Sequence, residues 1–176
     1  MNTQAPPLTV EEYHRLCETG AIAYDARTEL IRGQIHPMIA KGTPHTVCCS
    51  NLLEVFFAIT GGKFKIRSQD PITLPNVSEP EPDLVIAQRR NDNYLDSHPS
   101  PEDIVLLVEV ADSSLAFDRD TKLPLYRECG IELIWLVNVP QDRIEVYGQS
   151  GEGEFYGRGE FVEFEGRAIA VDQILP

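Results

Sequence analysis

The sequence predicts an α/β (α+β) fold, a mixed β-sheet core flanked by helices and preceded by an N-terminal hairpin. Three observations carry this expectation. Helical and strand signals follow one another as helix, hairpin, helix, strands, helix, strands. Residues 104–110 form a nearly continuous apolar run, as expected of a strand buried on both faces. The 13 Pro and 12 Gly in 176 residues supply turns for many short strands.

Taken in order, residues 1–8 read as a loose tail and residues 9–176 as one domain. Thr9 followed three positions later by Glu12 is a capping box, so a short helix runs to about Cys17 and stops near Gly20. Two alternating runs, 29–31 and 34–36, flank Arg32-Gly33 and read as a β-hairpin. Thr43-Pro44 supplies a cap and a first-turn proline. Leu52, Leu53, Phe56 and Phe57 then recur at helical spacing until Gly61-Gly62. Strands are expected at 63–67, 72–74, 83–87 and 104–110, with a polar loop over 88–101. A helix is expected over 120–129, with Pro124 in its first turn and Gly130 as its stop. Residues 132–138 and 143–147 read as a strand pair about the turn at Pro140, and 160–175 as short closing strands. Gly151-Glu152-Gly153-Glu154 reads as an acidic surface turn.

Composition narrows the function. Fifteen Lys and Arg against 28 Asp and Glu give a formal charge of −13, which argues against broad, non-specific nucleic-acid binding. A nucleic-acid enzyme of this charge needs a local basic patch and metal ions. Cys17, Cys48, Cys49 and Cys129 contain no C-x-x-C pair, a poor pattern for zinc or a disulfide framework. They read as reduced thiols of a cytoplasmic protein. Neither a signal peptide nor an apolar run long enough to span a membrane is legible.

The chemistry-bearing residues are carboxylates on apolar strands. Glu109 ends the most apolar run, and Asp83 opens another directly after a proline-rich approach. An unpaired buried carboxylate costs several kcal/mol, so two on neighbouring strands call for compensation, which a hard divalent cation supplies. Lys122, at the start of the next helix, can return over such a site to hold water or stabilise charge on a phosphate. The same spacing is open to a bland reading: Asp83 a turn residue, Glu109 paired with an Arg, Lys122 solvated. Tyr126 shares a helix face with Lys122 and suits core packing better than nucleotide stacking. Lys41, Lys63, Lys65, Arg67, Arg89 and Arg90 are candidates for phosphate contact. Lys63, Lys65 and Arg67 alternate, which equally suits a solvated edge strand.

Pro82-Asp83 before an apolar strand, followed by Val108-Glu109-Val110, resembles the PD-(D/E)XK nuclease superfamily. Its usual Lys position, two residues after the Glu, is here Ala111. The run from Glu109 to Ser114, then Asp118-Arg119-Asp120-Thr121-Lys122-Leu123-Pro124-Leu125-Tyr126 and Gly130, resembles the Uma-type restriction endonuclease family. There the catalytic Lys sits on the following helix. Glu29-Leu30-Ile31-Arg32-Gly33, His45 and Ile134-Trp135-Leu136-Val137 extend the resemblance to about residues 8–175, while Asn138 departs from the family's usual Asp.

The resemblance implies a restriction-endonuclease-like core and Mg²⁺-dependent hydrolysis of DNA, with Mn²⁺ as substitute. It implies Asp83, Glu109 and the Val110 carbonyl as metal ligands and Lys122 as the residue that positions the nucleophilic water. Glu29 would orient water or complete the metal shell. His45 is either a site residue or a satisfied residue at a helix start. DNA is the expected substrate and a homodimer the expected assembly. A silent nuclease-fold module binding nucleic acid or protein is the alternative, and the presence of all four charged groups favours the enzyme.

Overall fold

A computed structural model describes residues 6–23, 25–75, 77–149 and 151–176. The part of the expected tail that falls on residues 1–5 lies outside them. Within them, the Leu8 N–H donates to the Gly33 carbonyl at 2.9 Å.

Helix α1 (Val10–Glu18) is opened by the reciprocal Thr9–Glu12 box. The Glu12 N–H donates to the Thr9 hydroxyl, and the Thr9 N–H to the Glu12 carboxylate. Strands β1 (Thr28–Ile31) and β2 (Gln34–Pro37) form a hairpin in register Ile31↔Gln34. Both turn residues, Arg32 and Gly33, have positive φ, the backbone that a two-residue hairpin turn of this hand requires.

Helix α2 (Thr43–Thr60) ends at Gly61 in the left-handed conformation. Its cap is Gly42 with no side-chain bond, not Thr43, which is already helical. Strand β3 (Lys65–Arg67) begins two residues later than expected, and 72–74 form no strand. In place of one, Leu74 makes an isolated bridge to Ser78, because the prolines of 75–82 turn the chain back on itself.

Strands β4 (Leu84–Ala87) and β5 (Ile104–Ala111) pair antiparallel, with Leu84 opposite Val108. The helical path that follows begins earlier than expected. It comprises α3 (Leu115–Phe117), a π turn (Asp118–Lys122) and α4 (Leu123–Glu128). Pro124 does lie in the first turn of α4. Lys122, however, closes the π turn rather than opening a helix. The Leu123 N–H reaches back five residues to the Asp118 carbonyl, so the ladder has already shifted by one residue where Pro124 withdraws its donor.

Strands β6 (Ile134–Asn138), β7 (Arg143–Tyr147) and β8 (Gly153–Gly157) complete a six-stranded sheet of order β3-β4-β5-β6-β7-β8. Only β5 and β6 run parallel. Strand β8 takes up Gly153 and Glu154, which the sequence placed in a turn; β7 offers them a free edge to pair with. Strands β9 (Phe161–Phe164) and β10 (Arg167–Ala170) form a separate hairpin.

Side-chain alternation divides the core. Leu106, Val108 and Val110, together with Trp135 and Val137, face Phe56 and the rest of α2's buried side, and the 162–175 segment closes that layer. Leu107, Val85 and Ile134 face Leu125 and Tyr126 of α4 on the other side. Glu109, two residues after Leu107, shares its face of β5 and therefore points into the α4 layer.

Candidate active site

Glu109 is 4% exposed and sits on the central strand. Its Oε1 accepts from the Lys122 ammonium at 3.2 Å and from the Tyr126 hydroxyl at 2.6 Å. The same ammonium lies 2.9 Å from Glu29 Oε2 on β1. Lys122 is 5% exposed, so neither a solvated Lys122 nor an Arg-paired Glu109 describes the protein. Tyr126 is fully buried and stacks on no ligand-accessible surface, but its hydroxyl fixes Glu109, a contact that residue spacing did not reveal.

Asp83 precedes β4 by one residue, so continuing the register places it opposite Glu109. Asp83 Oδ2 accepts the Val110 N–H at 2.9 Å. A strand residue turns its N–H and C=O to the same edge. The Val110 carbonyl therefore lies on the Asp83 side, past the Leu84 end of β4. Asp83 Oδ1 meets His45 Nε2 at 3.1 Å and Lys41 Nζ at 3.3 Å. His45 is thus buried in the site rather than merely placed at a helix start. Lys41 also belongs to the site, not to a peripheral phosphate contact.

The remaining basic candidates are mostly engaged elsewhere. Lys63 lies before β3 and pairs with Glu165, and Arg67 pairs with Asp70 at 3.4 Å, so the expected three-cation strand face does not form. Arg89 donates to the Gly62 carbonyl at 2.6 Å, and Arg90 pairs with Asp92.

Glu29, Lys41, His45, Asp83, Glu109 and Lys122 line one cleft of about 370 Å³, walled on its apolar side by the 37–40 segment and Phe117. Asp118 also lines it, held by the Ser114 hydroxyl. Asp118 lies within the Asp118–Tyr126 run, but the spacing of the carboxylates on the strands does not point to it. Its position four residues before Lys122 was the available signal, since that spacing shares a helical face.

The electrostatics are those of a negative hole. Burial first, then Asp118 and Asp83, push the Glu109 carboxyl up to about 8, against the opposing pull of Lys122 and Tyr126. Burial likewise raises Asp118 to about 6. Burial alone would lower Lys122, but Glu109, Glu29 and Asp118 outweigh it and hold the ammonium charged. Burial opposes ionisation of Asp83 too, yet His45, the Val110 N–H and Lys41 together keep it below the usual range.

Six carboxyl groups (Glu29, Glu81, Asp83, Glu109, Asp112, Asp118) thus line the cleft with two lysines. Hard carboxylate oxygens, a backbone carbonyl and a charge deficit of this size fit a divalent cation. His45, Cys49 and Asp83 form a second possible donor group, their ligand atoms all lying within 4.8 Å of one another. Its thiol is pushed up to about 12, chiefly by burial, which disfavours the thiolate a metal takes.

The model of the Uma2 family, described as "Putative restriction endonuclease", matches residues 10–176. A crystal structure described as "a putative nuclease belonging to DUF820", from Anabaena variabilis, has the same fold. It superposes with a TM-score of 0.76 at 15% identity, over 96% of this chain and 97% of that one. No curated protein matches the chain. Among the described residues, no helix is long and apolar enough to cross a membrane.

Proposed function

The chain belongs to the Uma2 family of putative restriction endonucleases, and on that premise we propose that it is a Mg²⁺-dependent endonuclease hydrolysing phosphodiester bonds in DNA. One observation carries the reading: Lys122, delivered from the helix after β5, touches both Glu29 and Glu109 at the floor of the Asp83 cleft. That is where a lysine displaced from position 111 has to arrive to serve the same carboxylates. Mg²⁺, or Mn²⁺ in its place, held by Asp83, Glu109 and the Val110 carbonyl, would supply Lewis-acid and water-activating chemistry.

The chain's own residues do the rest. Glu29 and Glu109 fix the Lys122 ammonium, which positions the attacking water and stabilises charge on the phosphate. Tyr126 holds Glu109 in one orientation, and His45 and Lys41 do the same for Asp83. The working form in this reading is a cytoplasmic homodimer, whose two-fold symmetry offers one site to each strand of a duplex.

Lys122→Ala tests the proposal. Plasmid cleavage in Mg²⁺ should fall by roughly 10²–10³, the cost of losing one group that stabilises transition-state charge. Circular dichroism and Mn²⁺ binding should stay close to those of the parent. Arg89→Ala, at the opposite end of β4, is the control and should cleave normally. A Lys122→Ala protein that cleaves at the parental rate overturns the assignment.

A further inference from the structure

We infer that Arg119 and Arg143, anchored on the buried carboxylate of Glu145, form a second phosphate subsite that grips the DNA strand beside the cleft. The inference rests on the nuclease reading and extends it to how an acidic protein holds its substrate.

Glu145 on β7 is completely buried, and its oxygens are crowded with donors. The Asn138 amide donates to Oε1 at 2.7 Å and the Tyr147 hydroxyl to Oε2 at 2.7 Å. Arg143 Nη2 and Arg119 Nη2 reach Oε1 at 2.8 and 2.6 Å. Neutrality needs one guanidinium, and two are present. Among the described residues, Glu145 is the only carboxylate ion-paired to two arginines. The other ion-paired arginines each meet one or more acids of their own, as Arg90 does Asp92 and Asp103, and Arg158 does Asp142 and Asp172.

About a third of each guanidinium-bearing side chain remains exposed, 34% for Arg119 and 32% for Arg143. An arginine has five N–H donors, so two of them pinned on one carboxylate still present several to solvent in a fixed arrangement. That pre-organisation suits bidentate capture of phosphate oxygens. Arg143 also lies over the Phe155 ring at 4.6 Å from its centroid, and Phe155 is 54% exposed. An exposed aromatic beside excess guanidinium charge is the composition of a single-strand platform.

Placement relates the pair to the cleft. Arg119 belongs to the π turn that puts Asp118 into the cleft and Lys122 on Glu109. Glu109, Leu136 and Glu145 are in register on neighbouring strands and share one face of the sheet. Two inter-strand spacings set Glu109 and Glu145 about 10 Å apart. The arginines therefore meet a phosphate other than the one being cleaved.

The test is the salt dependence of DNA binding, read by fluorescence anisotropy of a labelled oligonucleotide with Ca²⁺ replacing Mg²⁺. Arg119→Gln and Arg143→Gln should each weaken binding. Each should also reduce the slope of log affinity against log salt by about 0.7–0.9, the signature of one lost phosphate contact. Arg143→Lys, which keeps the charge, should keep most of the slope. Glu145→Gln leaves both arginines and removes the carboxylate that they pair with, so it should tighten binding. That variant decides the matter if the Arg→Gln proteins fail to fold. A parental slope in both Arg→Gln variants, or binding no tighter in Glu145→Gln, overturns the subsite while leaving the nuclease reading intact. A parent protein that neither binds nor cleaves DNA overturns both.

Discussion

Glu109 holds a proton more tightly than a carboxylate in water, and this has consequences of definite sign. Its folded value of about 8 lies above its ordinary 4.5 because burial and the carboxyls of Asp118 and Asp83 oppose ionisation. Between those two values the folded protein binds more protons than the unfolded chain. Metal-free stability should therefore fall as pH rises from about 4.5 to about 8. A divalent ion must displace the same proton, so its affinity should climb over that window with proton release. Melting curves across pH, with and without Mg²⁺, check both. A metal-free melting temperature that rises between pH 5 and 8 would contradict the assignment.

Tyr126 gives a second residue-scale outcome. Tyr126→Phe removes the hydroxyl that meets Glu109 at 2.6 Å. Leaving that acceptor short of a partner should cost about 1–3 kcal/mol. Metal affinity, measured calorimetrically, should drop roughly tenfold or more, as when an orienting partner of a ligand is lost. Glu109 and Asp83 were legible in the sequence because a carboxylate interrupts or opens an apolar run. Lys41 and Tyr126 were not: a loop lysine and a core-facing tyrosine look alike whether or not a carboxylate waits opposite. Only the packing of the 37–42 segment and of α4 brings those partners to within 3.3 and 2.6 Å.

At the scale of elements, the β1–β2 hairpin must be seated closely for Glu29 to reach Lys122. At its turn, Gly33 packs against the Pro7-Leu8 segment ahead of α1. Its φ is +71°, and a Cβ there would stand 2.4 Å from the Pro7 Cβ. Gly33→Ala should destabilise the protein by more than about 1 kcal/mol, through strain as well as the clash. Activity should fall further than stability explains, because Glu29 moves with the hairpin. Thermal unfolding and cleavage rate measured on one preparation separate the two effects. Much of the element order could be read locally. The Thr9–Glu12 box, the Arg32-Gly33 turn and the Gly61 stop each depend on residues adjacent in sequence. The π turn could not be read, since Pro124 and Gly130 punctuate an α ladder and carry no trace of a widened turn. That turn is defined by where Asp118, Arg119 and Lys122 must point, which is tertiary information. Strand β8 was missed for a similar reason: the free edge of β7, not the propensity of a Gly-Glu repeat, makes it a strand.

For the whole molecule, the two layers of core separate stability from chemistry. Phe56 packs against Trp135 and Phe164 on the face away from Glu109, with centroids at 5.7 and 5.3 Å. Phe56→Ala should cost about 3–5 kcal/mol through the cavity it leaves. Cleavage per folded molecule should be unchanged, which denaturant titration paired with active-site counting would show. The same layer has a timetable. Val162, Phe164, Ile169, Val171, Ile174 and Leu175 cover residues 48–56 of α2, and the Asn51 amide donates to the Ile174 carbonyl at 3.2 Å. A polypeptide emerging from the ribosome at about 5–20 residues per second makes α2 early and must wait for more than a hundred further residues before that helix is roofed. Through that interval the 162–175 cover is missing over Leu52 and Phe56, and later over Trp135 as well. Nascent chains stalled before residue 160 should accordingly be captured by holdase chaperones, and those carried past 175 released.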